Sequence, residues 1–124
     1  MTNLFYIAAG GAIGALLRYW VSTGVYALAG RGLPYGTLAV NVIGSALMGL
    51  FYVLLIERMA ASMAWRSLLL IGLFGAFTTF STFSIETLNL LESGELARAL
   101  VNILLSLSLC MIAVWLGVVF GRQL

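Results

Sequence analysis

The sequence contains no histidine, lysine or aspartate, and only 8% of its residues are charged. Soluble domains carry about 25% charged residues. The low charge, together with 63% hydrophobic residues, therefore excludes an ordinary soluble protein and indicates an integral membrane protein. The missing histidine and aspartate also remove common catalytic bases and metal ligands, and no glycine-rich phosphate loop is present. We predict that the protein is not an enzyme.

Neither the single cysteine nor the arginines indicate a disulfide, a catalytic site or a nucleic-acid partner. The single cysteine, Cys110, lies in an apolar segment and cannot form an intrachain disulfide, so we interpret it as a small buried hydrophobe. The net charge of +2 comes from arginines in the connections between apolar runs and forms no basic patch. No nucleic-acid partner is predicted.

Four apolar runs are each long enough to cross a bilayer, which takes roughly 20 helical residues. They cover residues 1–26, 32–56, 65–91 and 99–121, and most of the charged residues fall in the short connections between them. The sequence predicts an all-α membrane protein whose single domain, residues 1–124, has four transmembrane helices in a lipid bilayer.

Residues 75–84 of the third run are unusual for a membrane helix, since five carry hydroxyl groups and three are phenylalanine. Hydroxyls and irregular backbone at membrane depth need protein or water partners. The run is also longer than a straight crossing requires. We therefore expect the third helix to be broken near its middle, with an unwound patch over residues 75–78.

Polar side chains recur every four residues on the second and fourth helices. These stripes are Thr37, Asn41 and Ser45, and then Asn102, Ser106 and Cys110. Each stripe either joins neighbouring helices by hydrogen bonds or lines a path for a solute. Neutral donors suit a small anion, and the path lacks the acidic ring expected of a cation pore.

Four further residues have two interpretations each. Phe80 and Phe83 are either apolar filler or present electropositive ring edges to an anion. Arg18 either extends to the membrane surface or has a functional partner, and Glu86 is either interfacial or functional.

The arginines are nearly balanced between the two sides of the membrane. Arg58, Arg66 and Arg122 share one side, while Arg31 and Arg98 lie on the other. Orientation normally follows an excess of basic residues on one side. We therefore expect insertion in both orientations and an antiparallel homodimer.

Three motifs together resemble the Fluc (CrcB) family of fluoride channels, and the resemblance covers the whole chain. They are GGAIGALLRY at residues 10–19, GTLAVN at residues 36–41 and GAFTTFSTFSIE at residues 75–86. The resemblance implies a passive, fluoride-selective channel that exports fluoride across the cytoplasmic (inner) membrane. It also implies an antiparallel, dual-topology homodimer with two pores.

The resemblance also assigns roles to individual residues. Phe80 and Phe83 line the fluoride path, Asn41 donates to the ion, and backbone carbonyls of Gly75 and Thr78 hold a structural sodium ion at the dimer interface. Further positions match the path or the first-helix arginine: Thr37, Ser81, Thr82, Glu86 and Arg18.

The fourth helix matches the family less closely. Asn102 and Ser106 can supply its polar track, but Cys110 is a weak donor and Val114 is none, so the end of the track stays open.

Two alternative functions have different requirements. A small multidrug-resistance exporter needs an acidic residue in its first helix, and none is present here. A scaffold subunit whose polar stripes only join helices stays an alternative.

Overall fold

The computed structural model describes residues 2–124, in which helices are joined by short loops and no β-strand occurs. Helix α1 is Thr2–Ala29 and α2 is Tyr35–Arg58. The third span, Met63–Glu92, comprises α3 (residues 63–77) and α4 (Phe80–Glu92), and α5 is Leu96–Gln123. All four spans are long and apolar enough to cross a membrane, which confirms the prediction of an all-α, multi-pass membrane protein. Met1, the predicted start of the first span, lies outside the described residues.

The helices end where the local sequence favours a turn. Gly30 and Gly94 have positive φ angles of 82° and 79°, which glycine adopts without a steric penalty, and they follow α1 and α4. Pro34 precedes α2, and its carbonyl accepts a hydrogen bond from Leu38 N at 3.0 Å. The tight turns keep consecutive spans adjacent and antiparallel. The last turns of α2 (Val53–Arg58) and most of α3 (Arg66–Phe74) are wound as π-helix.

Glycines bring the α1 and α3 backbones into close contact. A Cβ atom at Gly10 would lie 2.1 Å from the carbonyl oxygen of Leu68, and one at Gly14 would lie 2.2 Å from that of Leu73. Neither distance is possible for a real side chain. The four-residue spacing of these glycines therefore builds a helix–helix seam, as expected for small residues in membrane helices.

A second glycine seam joins α2 to α5. A Cβ atom at Gly49 would lie 2.3 Å from the Val114 carbonyl oxygen, and one at Gly117 would lie 2.2 Å from that of Ala46. The two seams fix α1 against α3 and α2 against α5. This arrangement leaves α4 less tightly packed than the rest of the chain.

The interior is small and the outer surface is apolar. Val40 and Val53 are fully buried, and Leu55, Leu70 and Phe74 form a buried cluster. Many large apolar side chains face outward instead, among them Trp20 and Trp115, which are each 62% exposed. Such a surface is suited to contact with lipid tails or with another membrane protein.

The backbone between α3 and α4 is extended at two residues. Thr78 has φ −87° and ψ 161°, and Thr79 has φ −153° and ψ 121°. Gly75–Phe77, where we expected most of the unwound patch, is helical. The interruption therefore lies at Thr78 and Thr79, and Thr79 has a hydrogen-bond partner on another helix.

Candidate functional site

Asn41 on α2 binds the extended backbone of Thr79 with both ends of its amide. Its Nδ2 donates to the Thr79 carbonyl oxygen at 3.0 Å, and Thr79 N donates to Asn41 Oδ1 at 2.7 Å. Backbone groups at membrane depth must be paired, so Asn41 replaces bonds that an unbroken helix would supply. An amide nitrogen has two hydrogens, which leaves one donor of Asn41 for another partner.

Thr79 also begins α4 by capping it. Its Oγ1 accepts from Thr82 N at 3.2 Å and donates to Thr82 Oγ1 at 3.1 Å. An N-cap threonine satisfies an amide that has no helical partner. The Ser81 hydroxyl lies 3.4 Å from the same Thr79 Oγ1. These contacts place three hydroxyl groups at the amino end of α4.

The interruption removes the usual backbone donors from four carbonyls, those of residues 75–78. Gly75 and Thr78, which we predicted as ligands, are the first and last of these. In a continuous α-helix the N–H of Thr79 would bond to the Gly75 carbonyl, and that of Thr82 to the Thr78 carbonyl. Here these amides donate to Asn41 Oδ1 and to Thr79 Oγ1 instead. The Gly75 carbonyl receives only a 3.4 Å contact from the Thr78 hydroxyl.

A cavity of about 370 Å³ lies beside the interruption, between α2, α4 and α5. It brings together four of the predicted path residues, Asn41, Phe80, Phe83 and Ser106, which come from three helices. Its wall also includes Gly44, where a Cβ atom would lie 2.3 Å from Thr78 Cγ2. Glycine at this position makes room for the Thr78 side chain at the interruption.

The two phenylalanines differ in exposure. Phe80 is 72% exposed, whereas Phe83 is partly buried. Their ring centroids lie 5.4 Å apart with an angle of 47° between the ring planes. Both residues line the cavity, and their tilted geometry is within the range favoured by aromatic pairs.

Other predicted residues lie around a second cavity, on the α1 side of α2. This cavity of about 240 Å³ is lined by Arg18, Thr37 and Thr82, and Thr79 is shared with the first cavity. Among residues 2–124, Arg18 makes no ion pair, so its positive charge acts on this cavity without neutralisation by an adjacent acid. Thr37, Thr82 and Arg18 are thus separated from Asn41 and Ser106, in two spaces that meet at Thr79.

Glu86 on α4 is held by hydroxyl groups from α1 and α2. Tyr26 Oη donates to Glu86 Oε2 at 2.7 Å, and Thr37 Oγ1 donates to Glu86 Oε1. The two hydroxyl oxygens are themselves 3.3 Å apart. The carboxylate is therefore held in a defined position by side chains of two other helices.

The fourth span divides its polar residues between two roles. Ser106, Cys110 and Val114 line the first cavity. Asn102 is 3% exposed, and its Nδ2 donates to Thr87 Oγ1 at 2.9 Å. Asn102 thus joins α5 to α4 and lines neither cavity described above.

The sequence did not predict a role for two residues of this site, Thr79 and Tyr26. Thr79 pairs with Asn41, and Tyr26 pairs with Glu86. Threonine is a common residue just before the first turn of a helix, so this signal could have identified Thr79 as the cap of a restarted helix. No short-range pattern links Tyr26 to Glu86.

Comparison with known proteins identifies the family. A family model described as "CrcB-like protein, Camphor Resistance (CrcB)" matches residues 5–118. The chain belongs to the CrcB family. This confirms the resemblance inferred from the three motifs. The family is one of ion channels, so the prediction that the chain is not an enzyme is also confirmed.

Relatives match over almost the whole of this chain. A Coxiella burnetii protein is 50% identical over 123 residues, covering 98% of this chain and 99% of its own, and a Geobacter sulfurreducens protein is 50% identical over the full length of both. A Methylococcus capsulatus protein is 54% identical over 122 residues, 98% of this chain. The chain spans only 54% of that last protein's length. All three are named fluoride-specific ion channel FluC.

Proposed function

We propose that this CrcB protein is a fluoride-selective channel through which fluoride leaves the cytoplasm passively across the inner membrane. The observation that carries the proposal is the cavity beside the helix interruption. Asn41 there keeps one amide hydrogen available, and the rings of Phe80 and Phe83 adjoin it. Neutral donors and ring edges stabilise an anion without trapping it as a fixed positive charge would.

The polar residues suggest an order of contacts for the ion. On this proposal, Ser106, Asn41, Phe80 and Phe83 act in the first cavity. Ser81 and Thr82 stand at the amino end of α4, where helix dipoles favour an anion. Thr37, Glu86 and Arg18 then belong to the α1 side of the route. A small, strongly hydrated anion needs such closely spaced donors to replace its water.

The exposure of the path supports the proposal of an antiparallel homodimer with two pores. Phe80 is 72% exposed in a single chain, and a second copy packed over it would close a route along its ring. The arginines at the two ends of the bundle are compatible with insertion in both orientations. Arg58 donates to the Arg122 carbonyl at one end, and Arg98 donates to the Gly32 carbonyl at the other. Neither end has a marked excess of positive charge.

The residues also fit a structural sodium ion at the dimer interface. Gly75 and Thr78 are among the four residues, 75–78, whose carbonyls lose their helical donors at the interruption, and Gly75 is exposed. Carbonyl oxygens freed in a broken membrane helix are suitable cation ligands. A bound cation would neutralise their partial negative charge and join the two copies.

Fluoride efflux from liposomes, followed with a fluoride electrode, tests the channel. We expect wild-type protein to release fluoride and Phe80→Ile to reduce the release severalfold, because the aromatic edge is lost. Phe120→Ile is a matched control, since Phe120 is exposed on α5 and lines no cavity described above. Absence of fluoride release by wild type would refute the channel, and equal chloride release would refute its selectivity.

A separate experiment tests the sodium site. The thermal stability of the purified protein is compared in sodium chloride and in choline chloride at equal ionic strength. We expect the protein to be more stable in sodium, because the Gly75 and Thr78 carbonyls gain a ligand. Identical stability in both salts would contradict the assignment.

A further inference from the structure

Four serine and threonine hydroxyls line the second cavity, and they differ in whether their hydrogens already have an acceptor. Three of them donate to an oxygen of the chain, those of Ser22, Thr37 and Thr79. The acceptor of Thr79 is Thr82 Oγ1, at 3.1 Å. Within residues 2–124, the Thr82 hydroxyl accepts this bond and has no acceptor for its own hydrogen. Thr82 is therefore the one member of this group whose hydrogen is left for a ligand in the cavity.

The interruption explains why the Thr82 hydrogen is left over. Serine and threonine hydroxyls inside a helix can donate to the carbonyl oxygen four residues earlier. Two hydroxyls later in α4 do so, at 2.9 Å and 2.7 Å, those of Ser84 and Thr87. The residue four positions before Thr82 is Thr78, whose backbone is extended, and this bond does not form between them. The break in the helix thus releases a hydroxyl hydrogen as well as backbone carbonyls.

Thr79, which donates to Thr82, is fixed through both its backbone and its side chain. Asn41 binds its N–H and C=O groups, and its Oγ1 accepts from Thr82 N at 3.2 Å. These bonds set the position of the Thr79 oxygen, and its single hydrogen is directed at Thr82 Oγ1. A hydroxyl that accepts a bond turns its own hydrogen away from the donor. Thr79 therefore restricts the directions in which the Thr82 hydrogen can point.

A directed hydroxyl in this cavity suits an anion. Arg18 lines the same cavity, and within residues 2–124 it makes no ion pair. A hydroxyl that accepts a hydrogen bond also becomes a stronger donor, because polarisation passes along the chain of bonds. We propose that Thr79 is a positioning residue whose hydroxyl directs that of Thr82 toward fluoride on the α1 side of the route. This inference rests on the proposed channel function.

Fluoride efflux from liposomes tests the role of the Thr79 hydroxyl. Thr79→Ala removes it and keeps the backbone groups that Asn41 binds. We expect efflux to fall severalfold, because the Thr82 hydroxyl loses the donor that directs it. Thr79→Ser keeps the hydroxyl and is expected to stay within about twofold of wild type, because the same hydrogen bonds can form. Thr23→Ala is the matched control and should retain wild-type efflux, since Thr23 is exposed on α1 and lines none of the cavities described above.

A double-mutant cycle separates this role from helix capping. Thr82→Val removes the directed hydroxyl but keeps the backbone N–H that Thr79 caps. In the Thr82→Val background, Thr79→Ala should lower the Tm by the same amount as in wild type, yet change efflux by less than about twofold. Thr79→Gly is a second variant without the hydroxyl, and it perturbs the helix start less because glycine is itself a favourable N-cap residue. It should show the same dependence on Thr82.

Three results would overturn the inference while leaving the channel in place. Wild-type efflux by Thr79→Ala and Thr79→Gly would show that the Thr79 hydroxyl is not needed. Wild-type efflux by Thr82→Val would show that the directed hydroxyl does not serve the ion. An equal proportional loss from Thr79→Ala in the wild-type and Thr82→Val backgrounds would mean that Thr79 acts through the helix cap alone. Absence of fluoride release by wild type would instead refute the channel itself, and the inference with it.

Discussion

From the two hydrogen bonds between Asn41 and Thr79 we predict that a change at Asn41 affects both the stability of the protein and fluoride conduction, and that the two effects can be measured separately. Asn41→Ala removes the donor at 3.0 Å and the acceptor at 2.7 Å, and it leaves the N–H and C=O groups of Thr79 without these partners. Each unpaired buried backbone group costs about 1–3 kcal/mol. Because the site is only partly buried and water can reach it, we expect a total loss of about 2–4 kcal/mol.

Thermal unfolding in detergent, followed by size-exclusion chromatography, measures this loss. A change of about 2–4 kcal/mol in a chain of this size corresponds to a decrease in Tm of roughly 10 °C. Fluoride efflux from liposomes is measured on the same preparation at a temperature where the variant is folded. Efflux is expected to fall as well, because the remaining amide donor is lost together with the bonds to Thr79.

Asn41→Asp distinguishes the role of Asn41 in supporting the Thr79 backbone from its proposed role as a donor to fluoride. Its carboxylate still accepts from Thr79 N, so we expect it to retain more stability than Asn41→Ala. It has no amide donor and carries a negative charge, so fluoride efflux should be at least as low. Asn3→Ala, an exposed change on α1, is the control for both assays. A Tm within about 1 °C of wild type for Asn41→Ala would refute the argument that Asn41 supports the interruption.

Two further predictions concern helix packing. Gly14→Ala should destabilise the protein by more than about 3 kcal/mol, because the added Cβ would lie 2.2 Å from the Leu73 carbonyl oxygen. Gly11→Ala is the control: its Cβ would meet nothing within 4 Å, so it should be tolerated in the same thermal assay. Asn102→Ala should lower the free energy of unfolding by about 1–2 kcal/mol, because its buried hydrogen bond to Thr87 is lost. In a Thr87→Val background the same change should cause no further loss of stability, whereas additive losses would contradict the pairing.

Much of the architecture is predictable because the bilayer constrains it strongly. A span must be helical and about 20 apolar residues long, so hydropathy alone gives the four crossings. The glycine spacing at Gly10 and Gly14 also identifies a packing face without knowledge of the partner. The structure adds that the partner is α3, with backbone contacts at Leu68 and Leu73.

The candidate site is less predictable, because its contacts join distant parts of the chain. The sequence places Asn41 on a polar stripe and residues 75–84 in an unusual segment. It does not show that Asn41 binds Thr79, 38 positions away. This pairing explains how the backbone can be extended at Thr79 without leaving its N–H and C=O groups unpaired.

The sequence by itself determined the membrane class, the four helices and the types of residue available to an anion, because composition and hydrophobic periodicity are local properties. Only the tertiary structure decided how those residues are grouped. It separates Asn41 and Ser106 from Thr37 and Thr82 into two cavities, turns Asn102 into a link with Thr87, and brings Tyr26 to Glu86. The physical reason is that helix packing sets which faces meet, and hydrogen bonds between those faces depend on angles and distances that no single segment encodes.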